Sequence, residues 1–501
     1  MLSRNPHRGA LRRVQVSGLA VTAALGLAVA TAAPAAAGPA AKPAAKTPVE
    51  RVAGPLMNYA VNATAANRGQ TLKVERAVRA AGGSVVASYA EIGVVIAQSD
   101  NANFALALRQ DAAVESVGAT RTAEVLPTDL TYQASDPLGK GESGKHPKRK
   151  KASPTVETPT TIVDPEQFQD LQWDMEQIGA FEAHAIEDGN RDVLVAVLDS
   201  GIQGDHPDLD ANIDAGASAG CLSGSPDTTY DAWQPTTSDH GTHVAGTIAA
   251  ERNGVGVVGV APGVRVSSVK VVNDDGFIYP EAAICGFLYA AATGADITNN
   301  SYYIDPWEFW CDDDADQAAV KEAVDRAVQY TQDRGIVDVA AAGNSSRDLA
   351  DKQSLTDTGS PNDTTPVTRQ LDDGCEDIPA ELDGVVTVSS TTQDGTKSSF
   401  SNYGLGVIDI AAPGSNIAST VTGSWYGYKS GTSMASPHVA GVLALMKSAH
   451  PELSGTALTD RLYAQADDVP CPTTGTQVCE GPADDNGFFG EGLVDALDAV
   501  S

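Results

Sequence analysis

Basic residues are scarce in this chain. Of its 501 residues, 33 are Lys or Arg and 65 are Asp or Glu, a formal net charge of −32. Such a balance disfavours nucleic-acid phosphates and anionic membrane surfaces, so neither is an expected partner. Cysteine is also sparse. All six, Cys221, Cys285, Cys311, Cys375, Cys471 and Cys479, fall after residue 220. None stands in a C-x-x-C or paired His–Cys spacing, which argues against a zinc site. Long apolar runs are nearly missing. The one stretch of spanning length covers residues 14–33, and no later segment is apolar enough to cross a bilayer.

What is present begins with that stretch. Arg4, Arg8, Arg12 and Arg13 precede it, and Pro34-Ala35-Ala36-Ala37-Gly38 follows. Its Ala-, Gly- and Thr-rich composition and the small-residue site read as a secretory signal peptide, residues 1–37, cut after Ala37, rather than as an anchor. The neighbours of Arg12-Arg13 support a twin-arginine route poorly. Export makes disulfides expected. The spacing favours Cys471–Cys479 as a short local loop and Cys285–Cys311 as a helix-to-loop link. That leaves Cys221–Cys375 by elimination.

Four stretches carry chemistry. The run Val193-Leu194-Val195-Ala196-Val197-Leu198 suits a parallel strand buried on both faces, and it ends in Asp199-Ser200-Gly201. Asp239-His240-Gly241-Thr242-His243 opens a second helical apolar pattern, with His240 the base candidate and His243 a packed histidine one turn further in. Ala340-Ala341-Ala342-Gly343-Asn344 runs off a strand into an amide, a donor for an oxyanion. Gly431-Thr432-Ser433-Met434-Ala435-Ser436-Pro437-His438 leads into an apolar helix, with Pro437 expected in its first turn. A serine hydroxyl needs a base, and the base needs an orienting group. Asp199, His240 and Ser433 supply that set, with Asn344 and the Ser433 N–H as oxyanion donors.

Together with His206-Pro207-Asp208-Leu209, these motifs resemble the subtilisin family of serine proteases, in the same Asp, His, Ser chain order. The resemblance covers residue 169 to the C-terminus. It implies an α/β fold, a parallel sheet flanked by helices, and a secreted, extracellular serine endopeptidase acting on polypeptides through an acyl-enzyme. It further implies substrate-binding segments at Asp274-Asp275-Gly276-Phe277-Ile278 and Asn300-Ser301-Tyr302-Tyr303, with Gly276, Ser301, Tyr303, Ala342 and Gly343 lining the cleft. Here the chain departs from the pattern: bulky Ile278 and Tyr303 stand where small residues are usual. That puts a preference for large apolar residues in doubt and leaves broad degradation and narrow processing both open. A structural Ca²⁺ is implied at Asp208 and Asn253, with carbonyls from Glu251, Val255 and Val257, and Gln169 as a possible addition. A peptide-binding pseudoenzyme and a serine esterase or transpeptidase are the alternatives. The strand-like substrate segments favour peptides.

The rest of the chain is organised around this domain. Residues 38–57 read as a leader. Residues 58–126 carry a β-α-β-β-α-β pattern, a small α+β ferredoxin-like domain that resembles the inhibitory prodomain of the same family. The enzyme's own prodomain is thus an expected partner, removed by self-cleavage of a zymogen, leaving a monomer. Residues 127–166 read as a linker with a basic cluster at Lys145-His146-Pro147-Lys148-Arg149-Lys150-Lys151, and residues 167–501 form the catalytic domain.

Overall fold

The computed structural model describes residues 49–126 and 166–501, save 476. The expected signal peptide, most of the leader, and the linker with its basic cluster lie outside the described residues.

The N-terminal part is a four-stranded antiparallel sheet. Its strands are β1 (Ala53–Ala63), β2 (Ser84–Tyr89), β3 (Val94–Asn101) and β4 (Val114–Ala119), in the order β2-β3-β1-β4. β1 starts inside the stretch read as leader. Ala53 pairs with Asn101 and Met57 with Ser99, a backbone pairing that the local composition hides. Helices Arg68–Ala80 and Phe104–Leu108 complete the expected β-α-β-β-α-β order. Asn67 caps the first, accepting from the Gln70 N–H at 3.0 Å. Val74, Val78, Phe104 and Leu108 pack on Tyr59, Val61, Val95 and Val117 on one face of the sheet.

The larger part is built on a seven-stranded sheet. It contains β5 (Leu194–Asp199), β6 (Ala219–Gly220), β7 (Arg265–Lys270), β8 (Ile297–Asn300), β10 (Val337–Ala341), β14 (Val386–Thr391) and β15 (Ile410–Pro413). The order is β15-β14-β10-β8-β5-β7-β6 and every pairing is parallel. Parallel strands need crossovers, and these cover both faces. The alternation along β5 shows it. Val195 and Val197 pack with helices His240–Ala249 and Thr432–Ala449, whereas Leu194, Ala196 and Leu198 pack with helices Pro280–Thr293 and Ala315–Gln332. The apolar stripe Val320, Val324 and Val328 is fully buried. Three two-stranded ribbons decorate the sheet: β9 (Trp310–Cys311) with β13 (Cys375–Glu376), β11 (Thr356–Asp357) with β12 (Arg369–Gln370), and β16 (Ile417–Val421) with β17 (Trp425–Lys429).

The disulfides correct two expected pairings. The bridges are Cys221–Cys285, Cys311–Cys375 and Cys471–Cys479. Only the short local loop matches. Cys311 and Cys375 face each other in the β9–β13 register, a contact across 64 residues that spacing alone does not reveal. Cys221 follows β6 and hydrogen-bonds to Lys270 of β7, which places it against Cys285 in helix Pro280–Thr293.

The two parts share an interface. Ala60, Ala87, Ile92, Val94 and Ile96 of the N-terminal part join one apolar cluster with Ala282, Ala283, Val320 and Ala323 of the paired helices. Gly118 approaches the helix so closely that a β-carbon there would lie 2.0 Å from the Asp316 carbonyl oxygen. Asn58 and Arg121 both donate to Glu281, at 2.6 and 2.7 Å, and Asn62 donates to the Ala319 carbonyl at 2.8 Å.

Candidate active site

The site gathers at the carboxyl ends of the central strands, where open α/β sheets place their functional groups. Asp199 closes β5 and is 2 % exposed. His240 is the first residue of its helix, and its Nδ1 lies 2.9 Å from both Asp199 carboxylate oxygens. The Gly241 N–H donates to the Ser200 hydroxyl at 3.0 Å, tying the helix start to the strand end. Burial pulls the His240 imidazole toward the neutral form, but the charge and hydrogen bond of Asp199 outweigh it, so its pKa is raised above the ordinary 6.5. His243 is a packed histidine, as expected. It is fully buried, its Nε2 lies 3.0 Å from the Ile417 carbonyl, and burial lowers its pKa to about 3. His438 is likewise structural, buried with its Nε2 2.9 Å from Asp174.

Ser433 is the second residue of helix Thr432–Ala449. Its hydroxyl donates to the Ser301 carbonyl at 3.1 Å, and the Ser301 hydroxyl donates to the Ser433 carbonyl at 3.0 Å. Leu198 of β5 pairs with Asn300 of β8, so Asp199 and Ser301 leave the sheet side by side. Pro437 corrects an expectation. It is the sixth helical residue, past the first turn. Its missing N–H would have bonded the Ser433 carbonyl, and Ser301 supplies that donor instead.

Asn344 is oriented by Thr432. Its Oδ1 accepts from the Thr432 N–H at 2.8 Å and from the Thr432 hydroxyl at 3.0 Å, which leaves the Nδ2 hydrogens for the cleft. Gly343 before it has φ +93°, and a β-carbon there would lie 2.5 Å from Asn402 Nδ2. The turn therefore needs glycine for both conformation and space.

A cavity of about 320 Å³ opens beside Ser433 and Asn344. Gly276, Ser301, Tyr303 and Gly343 line it, together with Ile278. Ala342 does not. It is fully buried, with its N–H bonded to Val388 and its carbonyl to Asn402. Asp305, Glu308, Asn362, Asp377 and Thr432 also line the cavity and were missed. They come from four separate stretches, and only Thr432 lies inside a motif the sequence marks.

The loop read as a cation site brings its residues together. Asp208 is fully buried. Its Oδ2 accepts from the Val257 N–H at 3.0 Å, while its Oδ1 has no hydrogen-bond partner. Burial raises its pKa to about 7, and Glu166 and Glu251 add to the effect. Glu166, 4 % exposed, makes no close hydrogen bond through either oxygen, though the Gly254, Val255 and Asn253 N–H groups lie near enough to favour its ionised form. The sequence pattern places it in the linker, whereas here it is buried. Gln169 lies beside Glu166, its Oε1 accepting from the Glu166 N–H at 3.3 Å. Asn253 accepts from the Val255 N–H and donates to the Pro207 carbonyl, and the Glu251 carboxylate accepts from Ala211. Among the described residues no group of three or more His, Cys, Asp or Glu side chains forms a metal cluster, so a cation here would depend on amide and carbonyl oxygens as well. Buried orphan oxygens from two carboxylates fit a hard cation.

An oriented imidazole, a serine at a helix start and a free amide at the edge of a parallel sheet are what serine acyl transfer requires. The Subtilase family pattern matches residues 190–492, and the chain belongs to that family. M-protease of Shouchella clausii is 34 % identical over 297 residues, 59 % of this chain and 64 % of that protein, so this chain spans less than two thirds of that relative. Subtilisin BL of Lederbergia lenta is 34 % identical over 299 residues, 59 % of this chain and 90 % of that protein. The fold is also similar to a crystal structure of the epidermin leader peptide processing serine protease of Staphylococcus aureus. The TM-score is 0.62 at 22 % identity, covering 89 % of this chain and 98 % of that one.

Proposed function

We propose that this chain is a secreted serine endopeptidase made as a self-cleaved zymogen, with Asp199, His240 and Ser433 as its triad. The hydrogen bond from His240 Nδ1 to Asp199, at the same sheet edge as Ser433 and Asn344, carries the reading. Asp199 holds the tautomer with the proton on Nδ1, leaving Nε2 as the base. The Ser433 hydroxyl turns from the Ser301 carbonyl to the imidazole and attacks a peptide carbonyl. His240 takes the proton and returns it to the leaving amine. The Asn344 amide and the Ser433 N–H stabilise the oxyanion. Water then gives a proton to His240 as it attacks the acyl-enzyme, and His240 passes that proton to the departing Ser433 oxygen as the acid is released.

Extended substrate lies along the segments containing Gly276 and Ser301, where strand addition gives affinity without side-chain demands. Residues 58–126 act as the inhibitory prodomain, a role supported by their packing on helices Pro280–Thr293 and Ala315–Gln332. A structural Ca²⁺ would be held by Asp208, Asn253 and the carbonyls of Glu251, Val255 and Val257, with Glu166 the added carboxylate. Its contribution is to neutralise buried charge and stiffen the loop.

The test is secretion of the intact chain beside Ser433→Ala, with the mass of each product measured. Loss of everything up to the 127–166 segment in the wild type, and retention in Ser433→Ala, is the expected result. Identical processing of both, with no casein hydrolysis by either, overturns the reading.

A further inference from the structure

The cavity beside Ser433 carries acidic side chains and no basic ones. Three carboxylates line it, Asp305, Glu308 and Asp377, and no lysine, arginine or histidine does. Two of them are satisfied by the protein. Asp305 accepts from the Ile278 N–H at 2.6 Å and from Asn362 Nδ2 at 2.6 Å. Glu308 accepts from the Ser345 hydroxyl at 3.0 Å and pairs with Arg347 at 3.2 Å. Asp377 differs. It is 2 % exposed, and its Oδ1 has no hydrogen-bond donor. The Asn362 Oδ1 is a second buried acceptor without one. An unpartnered buried carboxylate oxygen costs free energy that a neighbouring donor would recover, and in an enzyme cleft the substrate can bring that donor.

We propose, building on the protease reading above, that this cavity takes the side chain of a lysine or arginine, so that the enzyme cleaves on the carboxyl side of basic residues. A lysine ammonium brings three donors and a guanidinium five, enough to serve Asp377 and Asn362 together. Charge separates this from an uncharged amide side chain. Arg347 pairs with Glu308 and Lys352 with Glu381, which leaves Asp377 without an ion-pair partner among the described residues. An apolar side chain would bury Asp377 further and leave its oxygen unpaired. Burial, then Glu381 and Glu308, push the Asp377 carboxyl well above the usual range, and Lys352 and Arg347 pull the other way. A bound cation reverses that shift, so preference for basic residues strengthens as pH rises.

The experiment uses the secreted, matured enzyme and tetrapeptide anilides that differ only in the residue before the scissile bond: Lys, Arg, Phe, Leu and Gln. Lys and Arg are expected to exceed Phe and Leu in kcat/KM by about 30-fold or more. In Asp377→Asn that ratio should fall by a similar factor, with enzyme concentration fixed by fluorophosphonate titration of Ser433. Because Asp377→Asn can misfold, the wild type is also tested with two peptide aldehydes, one ending in argininal and one in phenylalaninal. Tighter inhibition by the argininal supports the proposal. Equal or better use of Phe, Leu or Gln by an active wild type overturns it and leaves the protease reading intact. Absence of both fluorophosphonate labelling and anilide cleavage overturns the protease reading itself, and this proposal with it.

Discussion

Ser301 and Ser433 hold each other in both directions. Each hydroxyl donates to the other's carbonyl, at 3.0 and 3.1 Å. The pairing follows from Pro437, which lacks the N–H that would otherwise serve the Ser433 carbonyl four residues back. Ser301→Ala should therefore destabilise the fold by about 1–2 kcal/mol, the cost of an unserved acceptor near the protein interior. Pro437→Ala restores the helical N–H, and in the Ser301→Ala background it should return part of the loss. Urea unfolding of the four proteins measures this coupling. Strict additivity of the two changes would show that the carbonyl is served elsewhere.

Asn344 donates from an amide that Thr432 orients through two hydrogen bonds. Asn344→Ala should lower kcat by about 10²–10³, the size of loss known for the equivalent group in subtilisin, with KM little changed. Thr432→Val keeps the volume but removes the hydroxyl. Its effect should be smaller and confined to kcat. A rise in KM alone in either variant would place Asn344 in ground-state binding instead.

The pH profile follows from His240. Its raised pKa means that the imidazole stays protonated, and unable to accept the serine proton, up to a higher pH than an ordinary histidine. The acid limb of kcat/KM should thus titrate above pH 6.5, and Asp199→Asn should move it down while reducing the rate. A limb below 6.5 in the wild type would mean that burial outweighs the Asp199 charge.

Much of this site was legible because each group sits at an element boundary with a local signature. The β5 run ends at Asp199, and small residues surround His240, Asn344 and Ser433. The parallel sheet was legible from the same apolar runs. The disulfides and cavity walls were not. Cys311–Cys375 depends on a strand register spanning 64 residues. Asp377 reaches the cavity only because the chain returns from the β9–β13 ribbon to it. Glu166 was read as linker because a single carboxylate in a polar stretch carries no periodicity. Its burial comes from the Phe168 N–H bonding to Gly256 across the loop.

The cation loop gives a stability prediction. Glu166 lies close enough to Asp208 to raise its cost of ionisation, and both carboxylates are buried. A bound Ca²⁺ would hold both carboxylates ionised and supply the partner they lack. Chelation by EDTA should lower the Tm of the mature enzyme by several degrees, and excess Ca²⁺ should restore it. In Asp208→Asn the chelator effect should shrink. An unchanged Tm in the wild type would mean that packing alone holds the loop.

The last prediction concerns Glu281. It is fully buried and receives both Asn58 and Arg121 from the N-terminal part. Burial by itself would raise its pKa, but Arg121 and the amide hold it below the ordinary carboxylate value while the two parts are together. A depressed pKa in the complex contributes affinity at pH above the free carboxyl's pKa, and that affinity is lost as pH falls through the depressed value. Residues 49–126 supplied in trans should thus inhibit the mature enzyme well at neutral pH and progressively less under acid conditions. Arg121→Ala leaves the Glu281 charge buried with one partner fewer, which for a desolvated pair costs about 3–5 kcal/mol. Its inhibition constant should rise by two orders of magnitude or more, roughly. Arg51→Ala, whose pair with Asp100 is exposed, is the control and should change it little. Equal inhibition by the wild-type and Arg121→Ala segments would show that apolar packing of the small sheet on the paired helices carries the affinity without this buried pair.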